Sequence, residues 1–345
     1  MKQIFAVIGN PIAHSKSPRI HNAAIQALNL NAIYTRFHLT NAQNLREKIF
    51  ELNLSGANIT VPFKENALKI ADSADEMAAN IGSANTLLVR ERKIHAYNTD
   101  SIGFLQAVAE FGRLKTALIL GAGGTAKALA FVLGQSGVSV SVANRSAGRL
   151  SDFTNYKTAL YENLQKNLDS NLSENSHENL KFDEILSANL SKNLGTAAFD
   201  IVINTTSAGL KDENLPCDER LLKALLSRAK CAFEVIYGKQ TPFLRLAKSL
   251  KIPCKDGAEM LLWQGVFAFE LFFGLCDENL SVNLAKFRDL NVAQNLQNLN
   301  LKQNSQKPQN QISQNLQSQN SAQNCQFLKQ REKIFQTMRH ALDLD

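Results

Sequence analysis

Short apolar runs alternate with helix-like segments over the first 155 residues, and this alternation constrains the fold more than any other feature. Three apolar runs predict β-strands, at residues 4–8, 33–39 and 56–61. The spacing of apolar residues predicts three helices, at residues 18–28, 42–52 and 64–71. Two further runs predict a hairpin, at residues 84–90 and 93–97. Strands that alternate with helices favour a mostly parallel α/β sheet.

A second unit of the same kind is predicted to begin at Thr116. Its further strands are expected at residues 138–143, 199–205 and 231–237. The apolar stretch 261–275 contains Gln264 and Glu270 and predicts a buried helix. With roughly 150 residues per domain, a chain of 345 residues is expected to form two domains and an additional segment.

Composition excludes several classes of protein. No apolar run reaches the roughly 18 residues that a membrane-spanning helix needs, so no membrane partner is expected. The five cysteines are scattered without a Cys-x-x-Cys pair, which argues against a disulfide framework or a metal site and favours the cytoplasm. A net charge of +7, partly carried by the tail, is too weak to indicate nucleic-acid binding.

Two Asn-rich segments differ from the rest of the chain. In the first, 155–196, Leu160, Leu164, Leu168 and Leu172 are four residues apart, a spacing that fits one face of a helix, although a low-complexity loop is the favoured interpretation. The second, 291–326, has too few apolar residues to form a core and is predicted to be disordered. An amphipathic segment at 327–342 follows it and is a candidate helix.

A glycine turn follows the strand that begins at Thr116. Gly121 permits a tight turn, Gly123 permits close approach of a pyrophosphate, and Ala126 supplies the small residue that packs helix against strand. The phosphates would meet the free amides of the helix N-terminus. The pattern predicts a nucleotide site, and the alternative is a plain tight turn between strand and helix.

The residues after the next strand indicate which dinucleotide binds. NAD sites usually place an acid there for the ribose 2′-hydroxyl, whereas this chain has Asn144, Arg145, Ser146 and Arg149. Guanidinium groups offer planar paired donors to a phosphate, so the pattern favours NADP over NAD. The alternative is a solvated basic helix start.

Polar residues also follow the strands of the first unit. Ser17 precedes Pro18 and is predicted to cap a helix, which leaves Ser15 unexplained; two hydroxyls beside free helix amides suit a carboxylate. Lys64 follows the third strand, at the edge where ligands of open α/β sheets gather, although a lone lysine is also explained as a solvated charge. Asp100 is another polar residue near a strand end, and it is also explained as the cap of a helix.

Eight blocks of sequence, taken in order, resemble the shikimate dehydrogenase family. They are Gly-Asn-Pro-Ile-x-His-Ser-x-Ser-Pro (9–18), Asn-Ile-Thr-Val-Pro-Phe-Lys (58–64), Gly-Ser-Ala-Asn-Thr-Leu (82–87), Asn-Thr-Asp-x-x-Gly-Phe (98–104), Gly-Ala-Gly-Gly (121–124), Asn-Arg-Ser (144–146), Ile-Asn-Thr-Thr-Ser-Ala-Gly-Leu (203–210) and Asp-Gly-x-x-Met-Leu-x-x-Gln-Gly (256–265). The resemblance spans residues 4–275 and leaves out 155–196 and 291–345.

The resemblance implies an α/β fold of two domains with a cleft between them. An N-terminal substrate-binding domain is expected over residues 1–101, completed by a returning helix at 256–290. A Rossmann-like NADP-binding domain is expected over 102–255, interrupted by the insertion 155–196. Residues 291–345 would form a low-complexity tail that ends in a short helix, and this tail is expected to be dispensable for chemistry.

The resemblance also assigns roles to residues. Lys64 and Asp100 would be the catalytic pair. The substrate-binding residues would be Ser15 and Ser17 for the carboxylate, and Thr60, Asn85, Asp100 and Gln264 for the hydroxyls, with Tyr237 bordering the cleft. The cofactor-binding residues would be Gly121, Ala122, Gly123, Gly124, Asn144, Arg145, Ser146, Arg149 and Gly257. The chain departs from the family near Tyr237, where the usual Asp-x-x-Tyr-x-Pro is replaced by Glu234-Val-Ile-Tyr237-Gly238-Lys239.

The implied reaction is the reversible reduction of 3-dehydroshikimate to shikimate by NADPH, a step toward chorismate and the aromatic amino acids. Lys64 would donate a proton to the carbonyl oxygen as hydride arrives at the carbon. The alternatives are a quinate/shikimate dehydrogenase with relaxed cofactor use, a folate dehydrogenase of similar build, and a non-catalytic shikimate-binding regulator. The turn with Ser15 and Ser17 and the run Asn98-Thr-Asp100 do not suit the folate enzyme. Intact Lys64 and Asp100 argue against the regulator. The oligomeric state is left open, with a homodimer as one alternative.

Overall fold

A computed structural model describes residues 2–164, 190, 192–194, 196, 198–275 and 318–343. Leu168 and Leu172 of the first Asn-rich segment and residues 291–317 of the second lie outside the described residues. The chain divides into two compact units. The first unit contains Met1–Ala79, Ala84–Thr99 and Gly265–Asp345, and the second contains Asn80–Ser83 and Asp100–Gln264.

The first unit is built on a sheet of six strands in the order β2-β1-β3-β5-β6-β4. The strands are β1 (Gln3–Gly9), β2 (Ala32–His38), β3 (Gly56–Ile59), β4 (Ser73–Ala74), β5 (Thr86–Arg90) and β6 (Lys93–Tyr97). β1 pairs in parallel with β2 and β3, whereas β5 is antiparallel to both β3 and β6. The predicted parallel strands and the hairpin are thus confirmed. β1 is central, so the last five of its seven side chains are buried.

Helices of the early chain follow the predicted positions closely. They are α1 (Ser17–Ala27), α2 (Leu45–Glu51), α3 (Lys64–Lys69) and α4 (Glu76–Ile81). α2 is preceded by a 3₁₀ turn at Ala42–Asn44, so the predicted helix 42–52 is divided into two parts. Asn41 causes the tighter start, because its side chain accepts a hydrogen bond from the Gln43 amide.

The second unit is a parallel sheet in the order β12-β11-β10-β7-β8-β9, the arrangement expected of a Rossmann-like domain. Its strands are β7 (Thr116–Leu120), β8 (Ser139–Asn144), β9 (Lys157–Leu160), β10 (Phe199–Asn204), β11 (Ala229–Glu234) and β12 (Cys254–Lys255). Its helices are α5 (Asp100–Val108), α6 (Gly124–Gln135), α7 (Glu219–Leu226) and α8 (Pro242–Ser249). The α/β fold class predicted from the alternation is confirmed.

The favoured loop interpretation of segment 155–196 is wrong at its start. Lys157–Leu160 forms edge strand β9, paired with β8, and residues 161–164 continue into a helical turn. Leu160 and Leu164 therefore do not share a helix face. Leu164, Leu190 and Leu194 are buried in the hydrophobic core of the second unit. These three leucines are used for packing, because the core of the second unit provides apolar partners.

Two more helices lie late in the described part of the chain. α9 (Ala258–Phe272) confirms the predicted buried helix, and its last residue stacks on Phe5 of β1, with ring centroids 4.7 Å apart. α10 (Ser318–Asp343) begins well before the candidate helix at 327, so the prediction of disorder is wrong for residues 318–326. Ile334, Phe335 and Met338 of α10 are buried. Within the described ranges, no helix is both long and apolar enough to cross a membrane.

Candidate active site

The loop after β1 places two buried hydroxyls at the start of α1. Ser15 is 6% exposed and Ser17 is 5% exposed. The prediction that Ser17 caps the helix is wrong: the N-cap is Lys16, and it makes no side-chain capping bond. Ser15 takes that role instead, because its Oγ accepts the Ser17 amide at 3.3 Å. The residue that the sequence left unexplained therefore organises the first turn.

Lys64 is positioned by a turn at the carboxyl end of β3. The Thr60 amide donates to the Ile8 carbonyl at 2.9 Å, which extends the β1–β3 pairing one residue beyond β3. The Phe63 amide then donates back to the Thr60 carbonyl at 3.0 Å, so the chain turns and α3 begins at Lys64. The Lys64 carbonyl accepts the Ala84 amide at 3.0 Å. Bonds on both sides therefore fix the backbone of this residue.

Asn85 is held by a buried polar network. Its Oδ1 accepts the Thr99 amide at 2.7 Å, and its Nδ2 donates to the Thr99 Oγ1 at 3.0 Å. Nearby, the Tyr34 hydroxyl donates to the Asn58 Oδ1 at 2.6 Å, and the Asn58 Nδ2 donates to the Thr86 Oγ1 at 3.0 Å. Fully bonded buried networks fix side-chain positions. The polar side chains at this end of the sheet are therefore well oriented.

The predicted substrate residues of the first unit meet at one edge of its sheet. Parallel strands β1 and β3 end there, and antiparallel β5 begins there, as the pairing of Asn58 with Thr86 shows. The five residues that follow or precede these strand ends are Ser15, Ser17, Thr60, Lys64 and Asn85. They combine hydroxyl, amide and ammonium groups, which is a donor-rich set suited to a small polyhydroxylated acid.

Of the three predicted substrate residues in the second unit, Asp100 and Gln264 lie on helices in close contact, and Tyr237 lies in a loop. Asp100 is the first residue of α5 and is 7% exposed. One turn further, a Cβ on Gly103 would lie only 2.7 Å from the Gln264 amide nitrogen of α9. Gly103 thus permits the two backbones to touch. Gln264 is also 7% exposed, and its Nε2 donates to the Leu261 carbonyl at 2.9 Å.

The glycine turn between β7 and α6 has the geometry that the sequence predicts. Gly121 has a φ of 107°, a value that side-chain-bearing residues rarely adopt, and a Cβ there would lie 2.7 Å from the Thr205 Oγ1. Gly123 is the N-cap of α6 and Gly124 its first residue, with no side chain of the N-cap covering the helix amides. Ala126 is fully buried. The turn therefore presents open helix amides next to Ala122, as an anion site requires.

Two unpaired arginines flank this turn. Arg145 and Arg149 are exposed, and neither forms an ion pair within the described part of the chain. Asp152, the next acid in sequence, pairs with Lys127 at 2.8 Å instead. A Cβ on Gly123 would lie 3.9 Å from the Arg149 Nη1, so this guanidinium reaches the glycine turn itself. These cations are available to a phosphate.

The loop after β8 is shaped by its own side chains. Asn144 is the last residue of β8, and its Nδ2 donates to the Ser146 carbonyl at 3.0 Å. Ser146 then precedes a 3₁₀ segment, Ala147–Phe153, rather than an α-helix. The segment that the alternative interpretation takes as a basic helix start is thus a tighter turn, which brings Arg149 toward the glycine turn.

A buried carboxyl group, noted above only as a departure from the family pattern, lies at the same carboxyl edge of the second sheet, on β11. Glu234 is fully buried at the end of β11. Its Oε2 accepts the Asn204 Nδ2 at 2.8 Å and the Thr241 Oγ1 at 3.0 Å, and its Oε1 accepts the Ile236 amide at 3.1 Å. Burial raises the pKa of Glu234 to about 7, although these hydrogen bonds oppose the rise.

Glu234 thereby links the loops that follow β10 and β11. Asn204, which donates to it, also accepts the Thr206 amide at 3.0 Å. On the other side, Gly257 donates to the Ile236 carbonyl at 3.1 Å, and a Cβ there would lie 2.2 Å from the Val235 carbonyl oxygen. The half-buried Tyr237 lies in the loop so held. A signal was present in the sequence, since an acid at the end of an otherwise apolar strand must find partners.

Comparison with known proteins identifies the family of the chain. Residues 7–87 match the model of the shikimate dehydrogenase substrate binding domain. The NADP(+) shikimate dehydrogenase of Helicobacter hepaticus is 43% identical over 273 residues, which cover 79% of this chain and 91% of that protein. The chain belongs to the shikimate dehydrogenase family. The enzyme of the same name from Helicobacter pylori is 38% identical and is covered to the same 91%.

A solved structure of the family agrees with the fold. The crystal structure of shikimate 5-dehydrogenase from Thermus thermophilus, in complex with NADP(H) and shikimate, has a TM-score of 0.63 and 29% identity. The match covers 83% of this chain and 99% of that one. The segment matched by the family's substrate-binding domain, 7–87, contains all five residues gathered at the edge of the first sheet.

Proposed function

We propose that this chain is an NADP-dependent shikimate dehydrogenase that interconverts 3-dehydroshikimate and shikimate. The observation that carries the proposal is the 43% identity to an enzyme named for this activity, over 91% of that enzyme's length. Two features of the chain support it: the donor-rich edge of the first sheet and the unpaired cations beside the glycine turn. The chain would therefore serve the biosynthesis of aromatic amino acids.

Lys64 is the proton donor in this proposal. NADPH, when bound, supplies a hydride to the carbonyl carbon of the substrate. Negative charge then develops on the carbonyl oxygen, and the Lys64 ammonium donates a proton to it. The backbone bonds on both sides of Lys64 keep its position fixed during the step. Oxidation of shikimate is the reverse, with the neutral amine accepting the hydroxyl proton.

Asp100 and other polar residues orient the ring in this proposal. The Asp100 carboxylate accepts a hydrogen bond from a ring hydroxyl, and Gln264, Thr60 and Asn85 contact the remaining hydroxyls. Ser15 and Ser17 donate to the substrate carboxylate. Each of these side chains supplies an uncharged donor or an acceptor that matches a fixed position on the ring, which restricts the substrate to one orientation.

The second unit would hold the cofactor. Amides of the turn from Gly121 to Gly124 would bind the pyrophosphate, and Arg145, Arg149, Ser146 and Asn144 would bind the adenosine ribose with its 2′-phosphate. A 2′-phosphate would supply the anion that the two arginines lack. Tyr237 and Gly257, positioned by the Glu234 network, would contact the nicotinamide.

One spectrophotometric experiment tests the proposal. Formation of reduced cofactor is followed by its absorbance, with shikimate or quinate and with NADP or NAD. Turnover of shikimate with NADP is expected to exceed the other three combinations. Turnover of quinate at a similar rate would support the relaxed quinate/shikimate alternative. Tight shikimate binding without turnover would support a binding regulator and would contradict the enzyme.

We further propose a cytoplasmic location. Cys217, Cys231 and Cys254 are free thiols in the described part of the chain, which suits a reducing compartment. Whether the enzyme works as a homodimer is decided by its mass in solution, measured by light scattering after size exclusion.

A further inference from the structure

Arg36 is tied to the loop that carries the carboxylate-binding serines. It lies on β2, two residues beyond Tyr34, so both side chains are on the same face of the sheet. Tyr34 stacks on His21 of α1 at 4.2 Å, which shows that this face is covered by α1. Because α1 begins at the carboxyl end of β1, a side chain further along β2 meets the start of α1 rather than its middle.

The guanidinium holds a single main-chain atom. The Arg36 Nε and Nη2 both donate to the Ser15 carbonyl oxygen, at 2.9 Å and 2.6 Å. Ser15 in turn accepts the Ser17 amide through its hydroxyl. Arg36 is thus connected through one residue to both proposed carboxylate ligands. A paired contact to one carbonyl leaves three of the five guanidinium N–H donors without a partner.

In the described part of the chain, no acid pairs with this cation. Among the described residues, Arg36 makes no ion pair and no hydrogen bond besides the two to Ser15. Arg46 of the same unit shows the usual alternative: it donates to the Ile70 carbonyl and also pairs with Asp72 at 3.0 Å. A guanidinium fixed on a neutral carbonyl keeps its full positive charge for an incoming anion.

The sequence around Arg36 is also positively charged. Residues 1–46 contain five Lys or Arg and no Asp or Glu, and the first acid of the chain is Glu47. The five cations are Lys2, Lys16, Arg19, Arg36 and Arg46. The loop after β1 therefore has no Asp or Glu near it in the sequence. A positive field at this loop favours an anionic ligand.

We propose that Arg36 is a positioning residue for the substrate carboxylate. It holds the Ser15 carbonyl, so that the hydroxyls of Ser15 and Ser17 keep their places, and it adds a positive charge beside them. The role rests on the proposed function, in which these serines bind the carboxylate of shikimate. Arg36 touches neither the reacting carbon nor the hydride path, so it acts on substrate affinity rather than on the chemical step.

Steady-state kinetics of two variants test this role. Arg36→Gln retains an N–H donor for the Ser15 carbonyl and removes the charge, whereas Arg36→Lys retains the charge. Arg36→Gln is expected to raise the KM for shikimate about 3- to 10-fold, as for a charge pair that water partly screens. The kcat and the KM for NADP should stay within about twofold, because neither involves the carboxylate. Arg36→Lys should recover most of the loss.

A neutral analogue separates charge from loop shape. The methyl ester of shikimate, measured as a competitive inhibitor of shikimate oxidation, should bind Arg36→Gln and wild type within about twofold of each other, since it carries no anion. Equal weakening of acid and ester would overturn the proposal and leave a purely structural role. An unchanged KM for shikimate would overturn it as well.

Matched controls keep the result interpretable. Arg46→Gln removes a cation of the same unit that is already paired, so it should leave the KM for shikimate unchanged. If Arg36→Gln fails to fold by circular dichroism, the acid and the ester are compared in Arg36→Met instead. The acid should then be weakened about 3- to 10-fold more than the ester, and equal weakening of both would overturn the proposal. Failure of the proposed function is seen separately, as absence of shikimate oxidation by the wild-type enzyme.

Discussion

Glu270 and Arg331 form a buried ion pair with two parallel hydrogen bonds, although 60 residues separate them in the chain. The Arg331 Nε donates to Oε1 at 2.6 Å and Nη2 donates to Oε2 at 2.5 Å. The two side chains are 1% and 5% exposed, and the guanidinium also lies 4.9 Å from the centre of the Phe267 ring. The pair joins α9 to α10 within the first unit. Burial raises the pKa of Glu270, and Arg331 opposes that rise.

Removing one partner of this pair should destabilise the protein more than removing both. Arg331→Met leaves a buried carboxylate without its cation and is expected to lower the free energy of unfolding by about 3–5 kcal/mol. The double variant Glu270→Leu/Arg331→Met should be more stable than Arg331→Met alone. Urea unfolding followed by circular dichroism measures both. A double variant no more stable than the single one would show that packing of Arg331 on Phe267 dominates instead.

Deletions in the late chain should separate α10 from the Asn/Gln-rich segment before it. Removing residues 318–345 uncovers the faces against which Ile334, Phe335 and Met338 are buried, so soluble folded protein should be lost. Removing residues 291–317 should keep the turnover number within roughly threefold, because that segment contains no chemical motif. The expectation that the whole tail is dispensable is thus narrowed to its first part. Full activity without α10 would contradict this division.

Lys64→Ala should lower the turnover number by about 10²–10⁴, the usual contribution of a general acid. Shikimate affinity should fall less, because Ser15, Ser17 and Gln264 are unchanged. Lys69→Ala, at the exposed far end of the same helix, is the matched control and should behave as wild type. Asp100→Asn should reduce both turnover and affinity. Near-normal turnover in folded Lys64→Ala would remove Lys64 from the chemical step.

Cofactor preference should depend on the two arginines beside the glycine turn. Arg145→Ala and Arg149→Ala are each expected to raise the KM for NADP by about tenfold to a hundredfold, since losing a charge-assisted contact costs about 1.5–3 kcal/mol. The KM for NAD should change little, because NAD lacks the 2′-phosphate. Lys223→Ala, at an exposed position of α7, provides the control for loss of a positive charge. Equal weakening toward both cofactors would refute the assignment.

Glu234 should make stability depend on pH. Its pKa is raised from 4.5 to about 7 in the folded protein, so between these values the folded state binds more protons than the unfolded state. The contribution of Glu234 to the free energy of unfolding therefore falls as pH rises from 4.5 to 7 and is constant above that. Relative to Glu234→Gln, the wild type should lose on the order of 3 kcal/mol across this range, at about 1.4 kcal/mol per pKa unit. Urea unfolding of both proteins at pH 5 and pH 8 measures it, and parallel curves would contradict it.

Local sequence patterns were sufficient to predict the elements whose structure depends on neighbouring residues. The apolar runs of β1 and β7 and the glycines after β7 predicted strands and a turn, because strand burial and a positive φ at Gly121 leave direct traces in residue type. The carboxyl edges of both sheets could therefore be listed in advance. The roles of individual residues, from Ser15 to Gln264, were predicted from the family resemblance.

Long-range partners decided the features that were missed. Leu160 belongs to a strand because it pairs with the edge of β8. The four-residue spacing of the leucines does not reveal this pairing. Glu234 is satisfied by Asn204 and Thr241, one of them 30 residues away. Each of these depends on which segments meet, and residue type alone does not specify that.

The position of α10 also sets an order of events on the ribosome. The second unit, ending at Gln264, is synthesised in full before α10 exists, whereas the first unit contains both β1 and α10. At 5–20 residues per second, the chain from residue 275 to residue 343 takes about 3–14 s to make. During that interval the nascent first unit has its sheet but not its last helix, and α1 and α9 lack their apolar cover. α1, which is made long before α10, is therefore among the last elements to be fully buried, and chaperones that bind exposed apolar helices have seconds in which to engage it.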